Sequence, residues 1–301
     1  MKLSSEKKFV LDGHKGPVYG LLQLDENHFL SAGSDRLAVK WNSKEMQEGI
    51  VVARASDSIY SLCLSENKNQ LLIGQGSGSV HVVNLFSGEE IKLLKLHDTP
   101  VFKICRFATL PYYFCLGGDG SLNIISEDFS SQRLFKLSAT KLRSIVFNTD
   151  AQLIYIGTGD GIIFTLDAIT FKIKDSFQAH QEGFGVNAMC ISHNGTYLLT
   201  GSRDAHLHIY NTDGLQLLKS IPAHHSAIYD IAFHHSGNYF ATASRDKSLK
   251  IWDALSFDVL LRIDKEKLDA HSYSVNCCIW MDDLLISSGD DRTVIVNEVT
   301  K

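Results

Sequence analysis

The chain has 301 residues, of which 44% are apolar and 21% charged, with a formal net charge of −5. That is ample for a buried core, and it excludes a polyanion binder that works by overall basicity, though not one with a local basic patch. No stretch approaches the roughly 18 uncharged apolar residues of a membrane helix, and the opening MKLSSEKKFVLDGH has no apolar run behind its charges, so the expectation is an unanchored, soluble, cytoplasmic chain whose six cysteines, none in a CxxC pair, stay as thiols.

In chain order, the first element is the run KFVLDGH (8–14), an apolar segment leading into His14. An alternating run opens at Val18 and ends in SDRLAVKWN (34–42). The same pattern then recurs. Runs open at Ile59, Val101, Leu142, Val186, Ile228 and Val275, and each closes 22–24 residues later, at Val83, Ile125, Leu166, Tyr210, Trp252 and Asn297, as Trp41 closes the first. The closing positions are spaced 41–45 residues apart, and an Asp precedes each by six residues (Asp35, Asp119, Asp160, Asp204, Asp246, Asp291) except where Ser77 takes its place. Within AIYDIAFHHSGNYFATASRDKSLKIWD (227–253), three β-rich runs are separated by HSGN and SRDK turns, and a fourth, such as LQLLKSI (215–221), precedes the next His. Seven units of four strands at this spacing predict an all-β array of propeller blades.

On these residues, above all Gly13-His14, Asp35 and Trp41-Asn42 in unit one and Ala223-His224, Asp246 and Trp252-Asp253 in unit six, the chain resembles the WD-repeat β-propeller family along its whole length. The resemblance implies a single seven-bladed domain over 1–301, with the N-terminal strand near 6–12 completing blade seven. It also implies a hydrogen-bonded brace of His, Ser or Thr, Asp and Trp in each unit. Two units supply all four: His14, Ser31, Asp35, Trp41 and His224, Thr242, Asp246, Trp252. Unit five offers His180, Thr200, Asp204 and Tyr210; unit seven offers His271, Ser287 and Asp291, with Asn297 in the Trp slot. Unit three keeps His97 and Asp119, unit four only Asp160, and unit two none. A catalytic triad is needed once, whereas a brace is needed in every blade, so the His, hydroxyl and Asp residues are read as structural and no catalytic residue is assigned.

The resemblance places the residue after each opening aliphatic at the rim of the narrow face: Tyr19, Tyr60, Phe102, Arg143, Asn187, Tyr229 and Asn276. The residues before the brace Asp positions fall on the same face and add Arg203, Arg245 and Asp290. Unit five carries two extra residues between His180 and Val186, which puts Phe184 between two glycines in a loop there. Aromatic and Arg side chains on an accessible rim suit a binding hot spot. The expected function is therefore a non-enzymatic scaffold for a protein or peptide, with an acidic or phosphorylated segment matching the arginines, and a monomeric ring acting within a complex. Nucleic acid or a phospho-ligand on the Arg patch is the alternative, and a propeller hydrolase the least supported reading. An aromatic cage for a methylated side chain, built from Tyr19, Tyr60, Phe102 and Tyr229, is disfavoured by the neighbouring arginines. No cofactor and no metal are expected: His206, His208, His234 and His235 lack a completing ligand, and GQGSGS (74–79) has no helix after it to hold a phosphate. Cys63, Cys105 and Cys190, each four residues after the opening aliphatic, read as a recurring small buried slot, and the charged insert from Asp264 to Asp269 as a solvated loop.

Overall fold

The computed structural model describes residues 3–45, 48–268 and 270–301. These form seven four-stranded antiparallel sheets arranged as the blades of a propeller. In the first six blades the strands follow chain order from the inner to the outer edge; in the seventh the outer strand is Ser4–Leu11, paired with Val294–Thr300 from Leu11↔Val294 to Ser4↔Thr300. The closing strand thus starts two residues earlier than the sequence indicates and ends one earlier, and it joins the two ends of the chain in one sheet.

Each blade is two-faced, and the ring works because both faces are covered. Seven apolar clusters fill the gaps, one between each pair of neighbouring blades. The second strand of a blade is buried on both sides, as in Tyr239–Ser244, where all six residues are buried. The outermost strands are mostly exposed and carry Lys92, Lys95, Lys136, Lys174 and Lys219, charges that discourage pairing of a free strand edge with another chain. The Asp264–Asp269 insert is not simply a solvated loop. Residues Lys265–Leu268 make one helical turn, and Leu268 packs on the cluster between blades six and seven that also holds Leu3. Asp269 lies outside the described residues.

The braces follow a hydrogen-bond logic that fixes each proton. In blade one Trp41 Nε1–H donates to Ser31 Oγ at 2.7 Å, Ser31 Oγ lies 2.6 Å from His14 Nε2, and His14 Nδ1 lies 2.8 Å from Asp35. A hydroxyl that accepts from indole must donate to the imidazole, so Nδ1 carries the ring proton and gives it to the carboxylate. Blade six repeats this with Trp252, Thr242, His224 and Asp246 at 2.9, 2.7 and 3.0 Å. The Asp has a second task. In five units an Asp oxygen, Oδ1, also accepts the N–H two residues on (Leu37, Ser121, His206, Ser248, Thr293), which pins the turn; the residue after the Asp or Ser77 position has positive φ in all seven units, from 67° at Ala205 to 90° at Gly161.

Only blades one and six carry the full set, and three of the other five show how the pattern changes. In blade five His180 bonds Thr200 at 2.7 Å and Asp204 at 3.0 Å, but Tyr210 is not the fourth member. Its hydroxyl stands at the far end of the ring and donates instead to the Ala179 carbonyl at 2.5 Å, while His208 stacks on His180 at 4.0 Å. In blade seven His271 bonds Ser287 and Asp291, and the Asn297 amide nitrogen is buried without a partner. Blade two, which keeps none of the four residues, has a brace nonetheless: the fully buried Gln75 accepts at one oxygen from the Ser56 N–H, the Ser56 hydroxyl and the Asp57 N–H, all within 3.0 Å.

Candidate functional site

The site is built by a repeated irregularity. In every blade the pairing of the inner strand with its neighbour slips by one residue just after the opening aliphatic. The skipped residues are Tyr19, Tyr60, Phe102, Arg143, Asn187, Tyr229 and Asn276, the seven that the sequence reading placed at the rim. A bulge of this kind leaves one residue unpaired and re-aims its side chain. All seven line a cavity of about 570 Å³ on the ring axis.

Four of them form one continuous arc. Tyr19 and Tyr60 stack at 5.0 Å between ring centroids, Tyr60 meets Phe102 edge-on at 5.4 Å, and the Arg143 guanidinium lies 4.5 Å above the Phe102 ring. Burial, then the neighbouring Tyr60 phenol and the Asp290 carboxylate, push the Tyr19 hydroxyl pKa up. Burial pulls that of Arg143 down, and its Nε has no hydrogen-bond partner. Because the chain's own guanidinium covers Phe102, the face an aromatic cage would offer to a methylated cation is already occupied. Asn187 and Asn276 have another task. Their amide nitrogens reach the carbonyls of Ile228 and Val18, the opening residues of the next blade, at 3.1 and 3.0 Å, and Asn276 also donates to Asp290 at 2.9 Å. Tyr229 lines the cavity apart from the stacked arc.

Phe184, Arg203 and Arg245 are not among the cavity-lining residues. Arg203 and Arg245 are exposed in turns, and Phe184 is half-buried in a loop folded over the Gly159–Gly161 turn of blade four, its N–H bonded to the Gln181 carbonyl. Arg203 remains close enough to Arg143 and Lys141 that, after burial, the two guanidinium charges lower the Lys141 pKa. The thiols Cys63 and Cys190 are held protonated, their pKa values pushed up to about 12 by burial, as is that of Cys277 in the cavity wall. Among the described residues no three His, Cys, Asp or Glu side chains converge to hold a metal ion. His208 is spent on the Ala179 carbonyl and Ser220, and His234 on Ser236 and Tyr239.

Two charged residues of the cavity escaped the sequence reading, Lys103 and Asp230. Each stands two positions after an opening aliphatic, where strict alternation would turn it into the gap between blades; the bulge brings it to the axis instead. The signal was there in hindsight: the equivalent residues are Gly20, Ser61, Ser144, Ala188 and Cys277, all small. Asp230 accepts the N–H groups of Cys278 in blade seven and of Ile231, both at 3.0 Å. A further missed residue is Tyr273, 61% exposed, with the Lys247 ammonium 5.8 Å from its ring centre.

Residues 5–42, 171–211, 215–253 and 264–296, together about half of the chain, match the WD domain, G-beta repeat. The chain belongs to the WD-repeat family. The matched segments are units one, five, six and seven, those with His, hydroxyl and Asp all present; units two to four, where the brace is rebuilt, lie outside them. Among proteins similar to this WD-repeat chain are striatin-3 of Bos taurus, 26% identical over 270 residues, which covers 77% of this chain and 32% of the relative, and echinoderm microtubule-associated protein-like 2 of Homo sapiens, 26% identical over 215 residues, 68% and 31%. The chain spans about a third of the length of these curated relatives. The crystal structure of the WD40 β-propeller domain of Doa1 superposes with a TM-score of 0.86 at 17% identity, over 97% of this chain and 96% of that one, a likeness of fold.

Proposed function

We propose that this WD-repeat ring is a non-catalytic protein-interaction module that holds an acidic peptide segment of a partner at its narrow face, where the inner strands begin. The observation that carries the reading is the continuous arc of Tyr19, Tyr60, Phe102 and Arg143 at the cavity. Large, rigid, half-exposed rings beside an arginine are the composition of an interface hot spot. The exposed Lys141 and Arg203 beside Arg143 give the segment its expected sign. Residues that could suggest hydrolysis are otherwise engaged: the His–Asp pairs brace blades, and Asp230 and Asp290 each accept hydrogen bonds.

The test is a ring carrying Tyr19→Ala, Tyr60→Ala, Phe102→Ala and Tyr229→Ala, checked for an unchanged thermal melt. Proteins captured by the wild type from lysate of the source organism are purified and titrated against both forms. Loss of affinity in the variant supports the reading; equal affinity moves the interface to another surface. An affinity that falls steeply with salt and is met by nucleic acid would instead favour the arginine-patch alternative.

A further inference from the structure

The charges inside the cavity are unequally satisfied. Four ionisable groups other than phenols and thiols line it: Lys103, Arg143, Asp230 and Asp290. Both carboxylates are supplied with donors. Asp230 takes two backbone N–H groups at 3.0 Å, and Asp290 takes the Asn276 amide at 2.9 Å. Both cations lack a partner of opposite charge within ion-pair distance among the described residues. Lys103 is exposed and lines the cavity, with no side-chain hydrogen bond among the described residues although its charge reaches Asp230; Arg143 stacks on Phe102 near the Tyr60 and Tyr229 phenols while its Nε stays buried and unbonded. A buried guanidinium donor with no hydrogen-bond partner is costly.

The two cations also occupy related places. Phe102 and Lys103 are consecutive residues at the bulge of blade three, and both line the cavity; Arg143 is the bulged residue of the adjacent blade four and lies on that same Phe102. Lys103 therefore comes one residue further along the inner strand than the arc. A chain crossing the ring face would meet the arc first, and only a group entering along the axis would reach both cations.

We infer that the axial cavity is an anion seat, in which a phosphate or carboxylate group entering end-on is held between the Lys103 ammonium and the Arg143 guanidinium. The inference rests on the narrow-face reading for its peptide source, but the seat itself is defined by the cavity and stands or falls separately. Arg143 offers the planar fork that matches such a group in two-point contact, and Lys103 the compact charge below it. Asp230, held by Cys278 and Ile231, sets a limit: burial raises its pKa and the Lys103 charge opposes that rise, and a carboxyl already placed near Lys103 favours a ligand with one anionic head over one that fills the whole cavity with charge.

Methionine methyl groups report on this directly. The chain has four methionines; Met189 lines the cavity, and Met281 is buried in the cluster between blades seven and one. Methionine-methyl ¹³C spectra are recorded while inorganic phosphate is added at constant ionic strength. The expected result is a saturable shift of Met189 with Met281 unmoved, and an affinity weakened about tenfold or more in Lys103→Gln and in Arg143→Gln, since each removes a charged hydrogen-bond partner. A glycine-flanked phosphoserine peptide and its glutamate counterpart are the second arm. Tighter binding of either peptide than of phosphate identifies a side chain as the source; equal binding identifies a small free anion. The seat is overturned if Met189 is silent, or if both Gln variants bind phosphate as tightly as the wild type, the phosphate then being an adventitious ion only. If the Ala-substituted arc loses its protein partner while Met189 stays silent, the interface reading survives and the seat does not. If Met189 responds in a ring whose arc proves dispensable, the reverse holds.

Discussion

Tyr19 of blade one and Tyr60 of blade two lie face to face across the blade boundary, 5.0 Å apart and 7° from parallel. Each is the residue its strand leaves unpaired, so two backbone bulges in separate sheets deliver one stacked pair. Such a pair contributes about 0.5–1.5 kcal/mol beyond the area it buries. A double-mutant cycle of Tyr19→Ala and Tyr60→Ala, read by urea unfolding, is expected to give a coupling in that range. A coupling near zero would mean that the rings touch without holding each other, and that the arc is not the preorganised surface inferred from it.

Blades five and six separate what the brace hydroxyl does from what the ring below it does. Thr242 both accepts from Trp252 and donates to His224, so Thr242→Val strands two buried groups at once. The expected loss is about 2–4 kcal/mol, since each unsatisfied buried group costs about 1–3 kcal/mol. Tyr210→Phe removes the bond to the Ala179 carbonyl and the longer contact with His208 Nδ1 at 3.3 Å, and leaves His180 and Thr200 joined. It is expected to cost about 1 kcal/mol. Equal losses would show that the phenol belongs to the brace after all.

Gln75 makes a sharper prediction because no residue of the usual set accompanies it. Its single oxygen gathers three donors from the Ser56–Asp57 segment. Gln75→Leu keeps the volume and strands these donors, and a loss of about 2–3 kcal/mol in unfolding free energy is expected. Gln75→Glu keeps the acceptor and is expected to lose less. An unaffected Leu variant would show that water replaces the amide.

What could be read in the sequence was whatever every blade needs. The opening aliphatics repeat in all seven units and the turn Asp in six because the same packing gap and the same positive-φ turn recur, and the closing strand was visible because KFVLDGH repeats a motif otherwise found between units. What could not be read arises where one blade solves the problem differently. Gln75 has no counterpart, Tyr210 looks like a substitute for Trp and bonds elsewhere, and Lys103 and Asp230 stand at a position that alternation assigns to the opposite side of the strand. The bulge that corrects the last of these leaves no mark on the skipped positions themselves, which hold Tyr, Phe, Arg and Asn alike; its trace is the small residue that follows them in the other five blades. The arc itself was foreseen as a list of rim residues, but the exclusion of Arg203, Arg245 and Phe184 from the cavity depends on loop paths that residue spacing does not define.

Acid should destabilise the ring in two stages. Burial lowers the pKa of His224 despite the opposing pull of Asp246, so the folded protein holds this ring neutral while the unfolded chain takes up a proton near pH 6.5. The folded state then binds fewer protons, and stability falls as pH drops below about 6.5. The carboxylates act later. Burial would raise the pKa of Asp291, but the bonds from His271, Thr293 and the Ser272 N–H outweigh it and hold the value at about 2; Asp246 is likewise held well below the carboxylate range. Their contribution is complete above about pH 4, the value for an unfolded Asp, and is lost as pH falls through the folded value. Urea midpoints measured from pH 8 to pH 3 should decline first below about 6.5 and more steeply below about 4. A flat profile between pH 7 and 5 would show that His224 is charged in the fold.

Ring closure depends on one strand whose two ends of chain are otherwise unconnected. Ser4–Leu11 pairs along its length with Val294–Thr300, and Leu11 is buried in the cluster that seals blade seven to blade one. Deleting residues 1–11 would leave Val294–Thr300 as an open edge with its hydrogen-bonding groups free, and would open one side of that cluster to water. An open edge next to exposed apolar surface recruits another chain. The shortened protein is therefore expected to elute as oligomers or aggregates in light scattering and to lose its cooperative melt, and a synthetic peptide spanning residues 3–12 added in excess should restore part of both. A monomeric truncated protein with an unchanged melt would show that the three strands of blade seven close the ring without the fourth.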